Sequence, residues 1–128
     1  MVIQESHTDS GYLRAARKAA GRGLHKRHRL GAVLVNRSGQ VISHGYNSHK
    51  THPQMGFKTL HAEISALIGC RYKDIQHSSM YVIRLNAKDE PAMSKPCPTC
   101  RAILREYGVR EVYYTNREGQ LEKIKLGG

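Results

Sequence analysis

The pairing of His61-Ala62-Glu63 with a downstream Pro96-Cys97-Pro98-Thr99-Cys100 constrains this chain more than any other feature. Together the two segments supply one imidazole, two thiols and one carboxylate. A tetrahedral zinc ion held by three such nitrogen and sulfur ligands keeps a fourth position open for water. Zinc lowers the pKa of that water from ~15.7 to near 7, which makes a nucleophile available at neutral pH. Glu63, two residues beyond the histidine, is spaced to move protons to and from the water. A fold that uses this set must bring both segments to one point. Two other readings compete. A lone Cys-x-x-Cys serves as a redox pair in some proteins, and a structural zinc takes four protein ligands, the fourth drawn from another histidine. Neither alternative has a use for Pro96 or Glu63.

The chain of 128 residues reads as one domain, residues 1–128. A chain of this size buries ~65–70% of its unfolded surface, enough for a core without staples. No apolar run approaches the ~18 residues of a membrane span. The start, Met-Val-Ile-Gln-Glu-Ser-His, lacks the basic and apolar regions of a signal peptide. The cysteine count of three is odd, with two assigned to metal, so a reducing cytoplasm is expected. The third, Cys70, closes an apolar helix and reads as a buried, inert thiol.

The net charge of +11 is unevenly spread. No acidic residue occurs between Asp9 and Glu63, a stretch that includes Arg14, Arg17, Lys18, Arg22, Arg29 and Arg37 among its basic side chains. From Glu63 onward the two signs are near balance. A one-sided basic half is the footprint of a phosphate-bearing partner. The plainer reading is a solvated cationic surface.

The periodicity predicts a helix from about Ser10 to Gly23, with Leu13, Ala16, Ala20 and Leu24 as its buried stripe. Arg14, Lys18 and Arg22 form a basic stripe on another face. Like charges at that spacing cost a few tenths of a kcal/mol per pair. Leu30–Val35 and Val41–Tyr46 read as a hairpin joined by the turn Asn36–Gly39. A second helix is expected from near Thr59, carrying His61 and Glu63 in its first turn. Met80–Leu85 reads as a third strand and Asn86–Lys95 as a polar loop. A third helix starts at Cys97, where prolines are tolerated, and ends at Gly108. Glu111–Thr115 and Leu121–Leu126 complete the strands. The connector between the last two is too short for a parallel crossover, so they should pair antiparallel. The expected architecture is α/β, a five-stranded mixed sheet covered by helices.

These residues resemble the cytidine and deoxycytidylate deaminase superfamily. The resemblance runs through Gly45-Tyr46-Asn47, His61-Ala62-Glu63, Tyr81-Val82, Pro96-Cys97-Pro98-Thr99-Cys100 and Val112-Tyr113-Tyr114. The pattern H-x-E…P-C-x-x-C is the signature of the zinc base deaminases. The resemblance implies a three-layer α/β/α fold and one catalytic Zn²⁺ on His61, Cys97 and Cys100. It implies Glu63 as proton shuttle. It also implies Asn47, the backbone N–H of Ala62 and the carbonyl near Lys95 as substrate contacts. The plainer reading of Asn47 is a turn residue accepting positive φ.

The implied reaction is hydrolysis of a cytosine to uracil, with a nucleotide such as dCMP as the leading substrate. Superfamily members acting on small molecules commonly form homo-oligomers, and the same is expected here. Two cues about the branch disagree. An antiparallel last strand resembles free-cytidine and blasticidin deaminases, whereas Gly45-Tyr46-Asn47 resembles deoxycytidylate deaminases and small phage or bacterial relatives. The second cue weighs more, because those residues would touch the ligand. Met93-Ser94-Lys95 precedes Pro96 without the Trp found there in the APOBEC mutators. One rival reading has the same chemistry on single-stranded DNA or RNA, with the basic half as track, although Trp is absent and Phe57 is the one Phe. Another is a non-catalytic, zinc-stabilised nucleic-acid-binding module. His44, His49 and His52 also raise the question of a second metal, without a cysteine to accompany them.

Overall fold

The computed structural model describes residues 7–22, 29–47 and 61–127. The order of elements is α1 (His7–Ala20), β1 (Arg29–Val35), β2 (Val41–Tyr46), α2 (Ala62–Leu67), α3 (Tyr72–Ile75), β3 (Ser78–Leu85), β4 (Pro91–Ala92), α4 (Pro98–Tyr107), β5 (Val109–Thr115) and β6 (Leu121–Lys125). The strands form one mixed sheet in the order β2-β1-β3-β5-β6, with β4 paired to β3. The expected five strands are present, and the two-residue β4 adds a sixth.

The long central strands are buried on both sides, and each face has its own core. On one face, Ala32, Leu34, Met80, Val82 and Val112 pack against Ala62, Ala66, Leu67, Ile75 and Leu104 from α2, α3 and α4. On the other, Val33, Val35, Tyr81, Ile83 and Leu85 meet Ala16 and Ala20 of α1. Fully burying a side chain such as Leu34 or Val82 contributes ~1.5–3 kcal/mol. Successive residues of a strand point to opposite faces, so the run Ala32–Val35 supplies both cores in turn. The result is the expected three-layer α/β/α arrangement.

α1 forms because small, helix-favouring alanines line its inner face, while Asp9 in the first turn and Arg17 and Lys18 in the last complement the helix dipole. It begins and ends about one turn earlier than the sequence pattern suggested. Two glycines let helices lie directly on strands. A Cβ on Gly31 would stand 2.1 Å from the Ala16 carbonyl oxygen, and one on Gly45 would stand 2.2 Å from that of Ala62. Gly31 therefore seats α1 on one face, and Gly45 seats α2 on the other.

β3 and β5 run parallel, joined through α4, while β5 and β6 are antiparallel as their short connector requires. Three connectors share one design. Asn36, Asn86 and Asn116 each accept, through Oδ1, backbone N–H bonds from residues two and four positions on. The third residue after each Asn is Gly39, Asp89 or Gly119, and each has a positive φ. Asn side chains that bond to the following backbone are a recurrent turn device. The middle turn pairs β3 with β4, so part of the segment read as a polar loop is a hairpin. Arg29 pairs with Asp89 of that turn, and Arg17 Nη2 donates to the Asp89 carbonyl at 2.6 Å. Two of the cations in the basic half thus brace the β3–β4 turn against α1 and β1. No helix among the described residues is long and apolar enough to cross a membrane.

Candidate metal centre

Two helix N-termini on the same face of the sheet carry the motif residues. His61 is the N-cap of α2, in an extended conformation with φ −73° and ψ 149°. The helix expected from near Thr59 therefore starts at Ala62, and Thr59 itself lies outside the described residues. Cys97 is the N-cap of α4, with Pro98 in the first turn, where its missing N–H costs nothing. The Cys-x-x-Cys spacing puts Cys100 in the same first turn, and its N–H donates to Cys97 Sγ at 3.4 Å. Helix starts carry a partial positive charge and unused N–H groups, which favour thiolates.

His61 Nδ1 lies 3.2 Å from Cys100 Sγ. One ligand atom from each of His61, Cys97 and Cys100 lies within 4.8 Å of the others. Tetrahedral Zn–N and Zn–S bonds of ~2.0–2.3 Å space their ligand atoms by roughly 3.5 Å. The set is thus close to the size a single ion needs, and one imidazole with two thiols matches a zinc site that keeps its fourth position open. Burial pushes the Cys100 thiol up, and the negative charge of Glu63 raises it further. A coordinating metal reverses that, because a bound thiol is deprotonated.

Glu63 sits in the first turn of α2 and is only 4% exposed. Burial raises its pKa above the ordinary carboxylate value, while a hydrogen bond from its own backbone and the charge of His61 pull less strongly the other way. A carboxyl group tuned upward in a buried site is suited to exchanging protons near neutral pH.

The other predicted positions are placed as follows. Ala62 is fully buried at the first helical position of α2. Asn47 follows β2, and its Oδ1 accepts the Leu30 N–H at 2.9 Å while its own N–H donates to the Leu30 carbonyl at 3.2 Å. It thereby extends the β1–β2 pairing by one step. Its φ is not positive, which removes the plain turn reading. Lys95 is exposed between buried Ser94 and buried Pro96. His44 lies on β2 opposite Val33, on the α1 face. His49 and His52 lie outside the described residues. Cys70 is half-buried three residues past α2, with its thiol 3.5 Å from the Ala66 carbonyl, so the helix ends sooner than expected.

Sequence reasoning did not single out Ser94. Its hydroxyl donates to the Val82 carbonyl at 2.9 Å and accepts the Thr115 N–H at 2.8 Å. This ties the segment leading into Cys97 to β3 and β5. A lone serine in a polar stretch gives no pattern by which to find it.

An α/β/α sandwich that joins a His and a Cys-x-x-Cys at two helix starts beside a buried glutamate defines a zinc-dependent hydrolase of the deaminase class. The model of the family described as the cytidine and deoxycytidylate deaminase zinc-binding region matches residues 6–116, and the chain belongs to that family.

The dCMP deaminase of cyanophage S-TIM5, in apo form, is similar at 26% identity and a TM-score of 0.62, over 84% of this chain and 82% of that one. RibD of Acinetobacter baumannii is similar at 27% identity and a TM-score of 0.57, over 85% of this chain but only 28% of that one. The cytidine deaminase of Mycobacterium leprae shares the fold at 18% identity and a TM-score of 0.60, over 89% of this chain and 91% of that one. No curated protein matches the chain.

Proposed function

We propose that this protein hydrolyses the exocyclic amine of cytosine in a free nucleotide such as dCMP, giving uracil and ammonia. The observation that carries the reading is the meeting of His61, Cys97 and Cys100 beside the buried carboxyl of Glu63. The likeness to the cyanophage dCMP deaminase supports the monophosphate as substrate.

His61, Cys97 and Cys100 would hold the zinc, which when bound supplies Lewis acidity and brings the pKa of water toward neutral. Glu63 accepts a proton from the attacking water and delivers it to ring N3 as oxygen bonds to C4. It then takes up the remaining proton from the hydroxyl on C4 and passes it to the amine as the C4–N4 bond breaks, so that C4 becomes the carbonyl of uracil and ammonia leaves. Its raised pKa suits both directions of transfer. The Ala62 N–H, one of the first donors of α2 and so without a partner inside the helix, holds the base. The carbonyl near Lys95 contributes a second base contact, and Asn47, fixed by its bond to Leu30, holds the sugar or base edge. Copies of the chain associate to close the site, a point that light scattering of the purified protein tests.

The exposed Arg14 and Lys18 on α1, with Arg22 in the turn just after it, favour a second reading, in which the same chemistry acts on single-stranded nucleic acid. One experiment separates the two. Zinc-loaded protein is incubated with cytidine, deoxycytidine, CMP, dCMP, the triphosphates and a cytosine-containing oligonucleotide, and products are read by mass. Conversion of the monophosphates alone supports the leading proposal. Conversion of the oligonucleotide alone replaces it with the second. No conversion of any member sinks both.

A further inference from the structure

A pocket of about 400 Å³ lies between the second half of α1 and the end of β2, lined by Ala15, Lys18, Ala19, Arg22, His44 and Tyr46. Its volume falls within the ~300–1,000 Å³ typical of small-ligand sites. It is not an extension of the metal centre. His44 and Tyr46 pair with Val33 and Gly31, which face α1. Gly45, between them, faces α2 and approaches Ala62. The pocket and the metal centre therefore lie on opposite faces of the sheet, with β2 as the wall between them.

The chemistry of the lining is one-sided. Lys18 and Arg22 are exposed cations one helical turn apart, His44 is a ring donor, and Tyr46 offers an exposed ring. No side-chain hydrogen bond or ion pair among the described residues uses Lys18, Arg22 or His44, whereas the side chains of Arg17 and Arg29 are engaged by the β3–β4 turn. No acidic side chain is among the described lining residues, and the sequence has none from Ser10 to Ala62. The small side chains of Ala15 and Ala19 leave the space open. The close seat of α1 at Gly31 fixes the distance between the cations and β2.

We propose that this pocket is a second ligand site, which binds a phosphate ester attached to an unsaturated ring. Lys18, Arg22 and His44 take the phosphoryl oxygens, and the ring stacks on Tyr46. The ligand is either a small phosphate compound or one unit of a single-stranded polynucleotide, and both present the same chemistry. The site does not depend on the deaminase reading.

The test measures binding of inorganic pyrophosphate by calorimetry and of a labelled oligothymidylate by anisotropy, since thymine offers no amine to the metal centre. The wild type is compared with the double variant Lys18→Gln, Arg22→Gln. A control double variant, Lys88→Gln, Arg117→Gln, loses the same charge at exposed turn positions elsewhere. The expected result is at least a tenfold loss of affinity in the pocket variant and less than a threefold loss in the control, with His44→Gln in between. Loss for pyrophosphate alone identifies a small ligand. Loss for both probes, with a steep salt dependence for the oligonucleotide, identifies a polynucleotide. Equal losses in the two double variants, or no binding of either probe by the wild type, overturn the proposal. All of the substituted side chains are exposed, those other than His44 lying on a helix surface or in turns, and circular dichroism checks that the variants fold.

Discussion

Gly31 and Gly45 occupy equivalent places on opposite faces of the sheet, yet the helices they admit serve different ends. At Gly31 the backbone of α1 comes within about a bond's reach of where a Cβ would stand, 2.1 Å from the Ala16 oxygen and 2.3 Å from the Ala20 nitrogen. At Gly45 the corresponding distances are 2.2 Å to the Ala62 oxygen and 2.5 Å to the Ala66 nitrogen. The α1 face uses its contact for stability. Its partly buried tyrosines come in bonded sets, with Tyr81 donating to Asp9 and Tyr113 donating to Glu111 at 3.1 Å. The α2 face uses its contact to place a ligand, since Ala62 adjoins His61. That face also buries Glu63, whose charged form is disfavoured there. Isolating a carboxylate from water costs several kcal/mol. One face is built to be stable, and the other accepts a cost in stability for chemistry.

The largest effect that would sharpen this contrast comes from Glu63→Gln. The amide keeps the shape but cannot relay protons, so turnover should fall by ~10²–10⁴-fold, the usual worth of a general acid–base group. Zinc content should be unchanged. The metal-free variant should melt at or above the wild-type temperature, because a buried charge has been removed. Measured turnover within threefold of wild type would remove Glu63 from the mechanism.

The paired glycines come next. Gly31→Ala and Gly45→Ala each force a methyl group into helix backbone, and overpacking of this kind costs ~1–3 kcal/mol, with these positions at the upper end. Denaturant melts should show similar losses for both. The difference lies in the metal. Gly45→Ala pushes on Ala62 and should weaken zinc binding and activity beyond its loss of stability. Gly31→Ala should retain zinc and specific activity wherever it remains folded. Equal effects on zinc would show that the two faces are not separable.

The chemistry of the site was legible before the fold was. His61, Glu63, Cys97 and Cys100 stand out because a metal centre admits few residue types and each must be there. The strands were legible where burial demanded apolar runs, as in Leu30–Val35. α3 and β4 left no trace, since four and two residues are too few to show a period. The end of α2 was misjudged because Ile68 and Cys70 continue an apolar pattern after the helix has ended at Leu67. Gly45 read as part of a substrate-contacting segment, and its steric role depends on a helix that lies beyond it in the chain. The stacking of Tyr81 on Tyr113, with ring centroids 4.3 Å apart, joins strands that only the parallel β3–β5 register brings together.

Ser94→Ala tests whether the approach to Cys97 belongs to the catalytic face alone. The serine hydroxyl serves Val82, the Thr115 N–H and Thr115 Oγ1 at once, the last at 3.0 Å. Its loss leaves buried backbone groups unmet, at ~1–3 kcal/mol. The melting temperature should drop, and zinc affinity should fall because Cys97 lies three residues on. A drop in stability with zinc affinity intact would assign Ser94 to the sheet and not to the site.

The smallest expected effect concerns the α1 face at alkaline pH. Desolvation first, and then the neighbouring Glu111 charge, push Tyr113 up to about 12, and Tyr81 is raised by burial and by Asp9. A tyrosine in the unfolded chain ionises near 10. Between pH 10 and 12 the unfolded state therefore binds fewer protons than the native state, so stability must fall as pH rises through that window. Below pH 10 both states hold the proton and the contribution is constant. Tyr113→Phe removes one of the ionising groups and should make the fall in melting temperature between pH 10 and 12 shallower, by an amount reduced by the partial exposure of the ring. Glu63→Gln should leave the slope in that window unchanged, because it removes neither of the tyrosines that ionise there. A shallower slope in the Glu63 variant, with none in Tyr113→Phe, would mean that alkaline unfolding begins at the catalytic face.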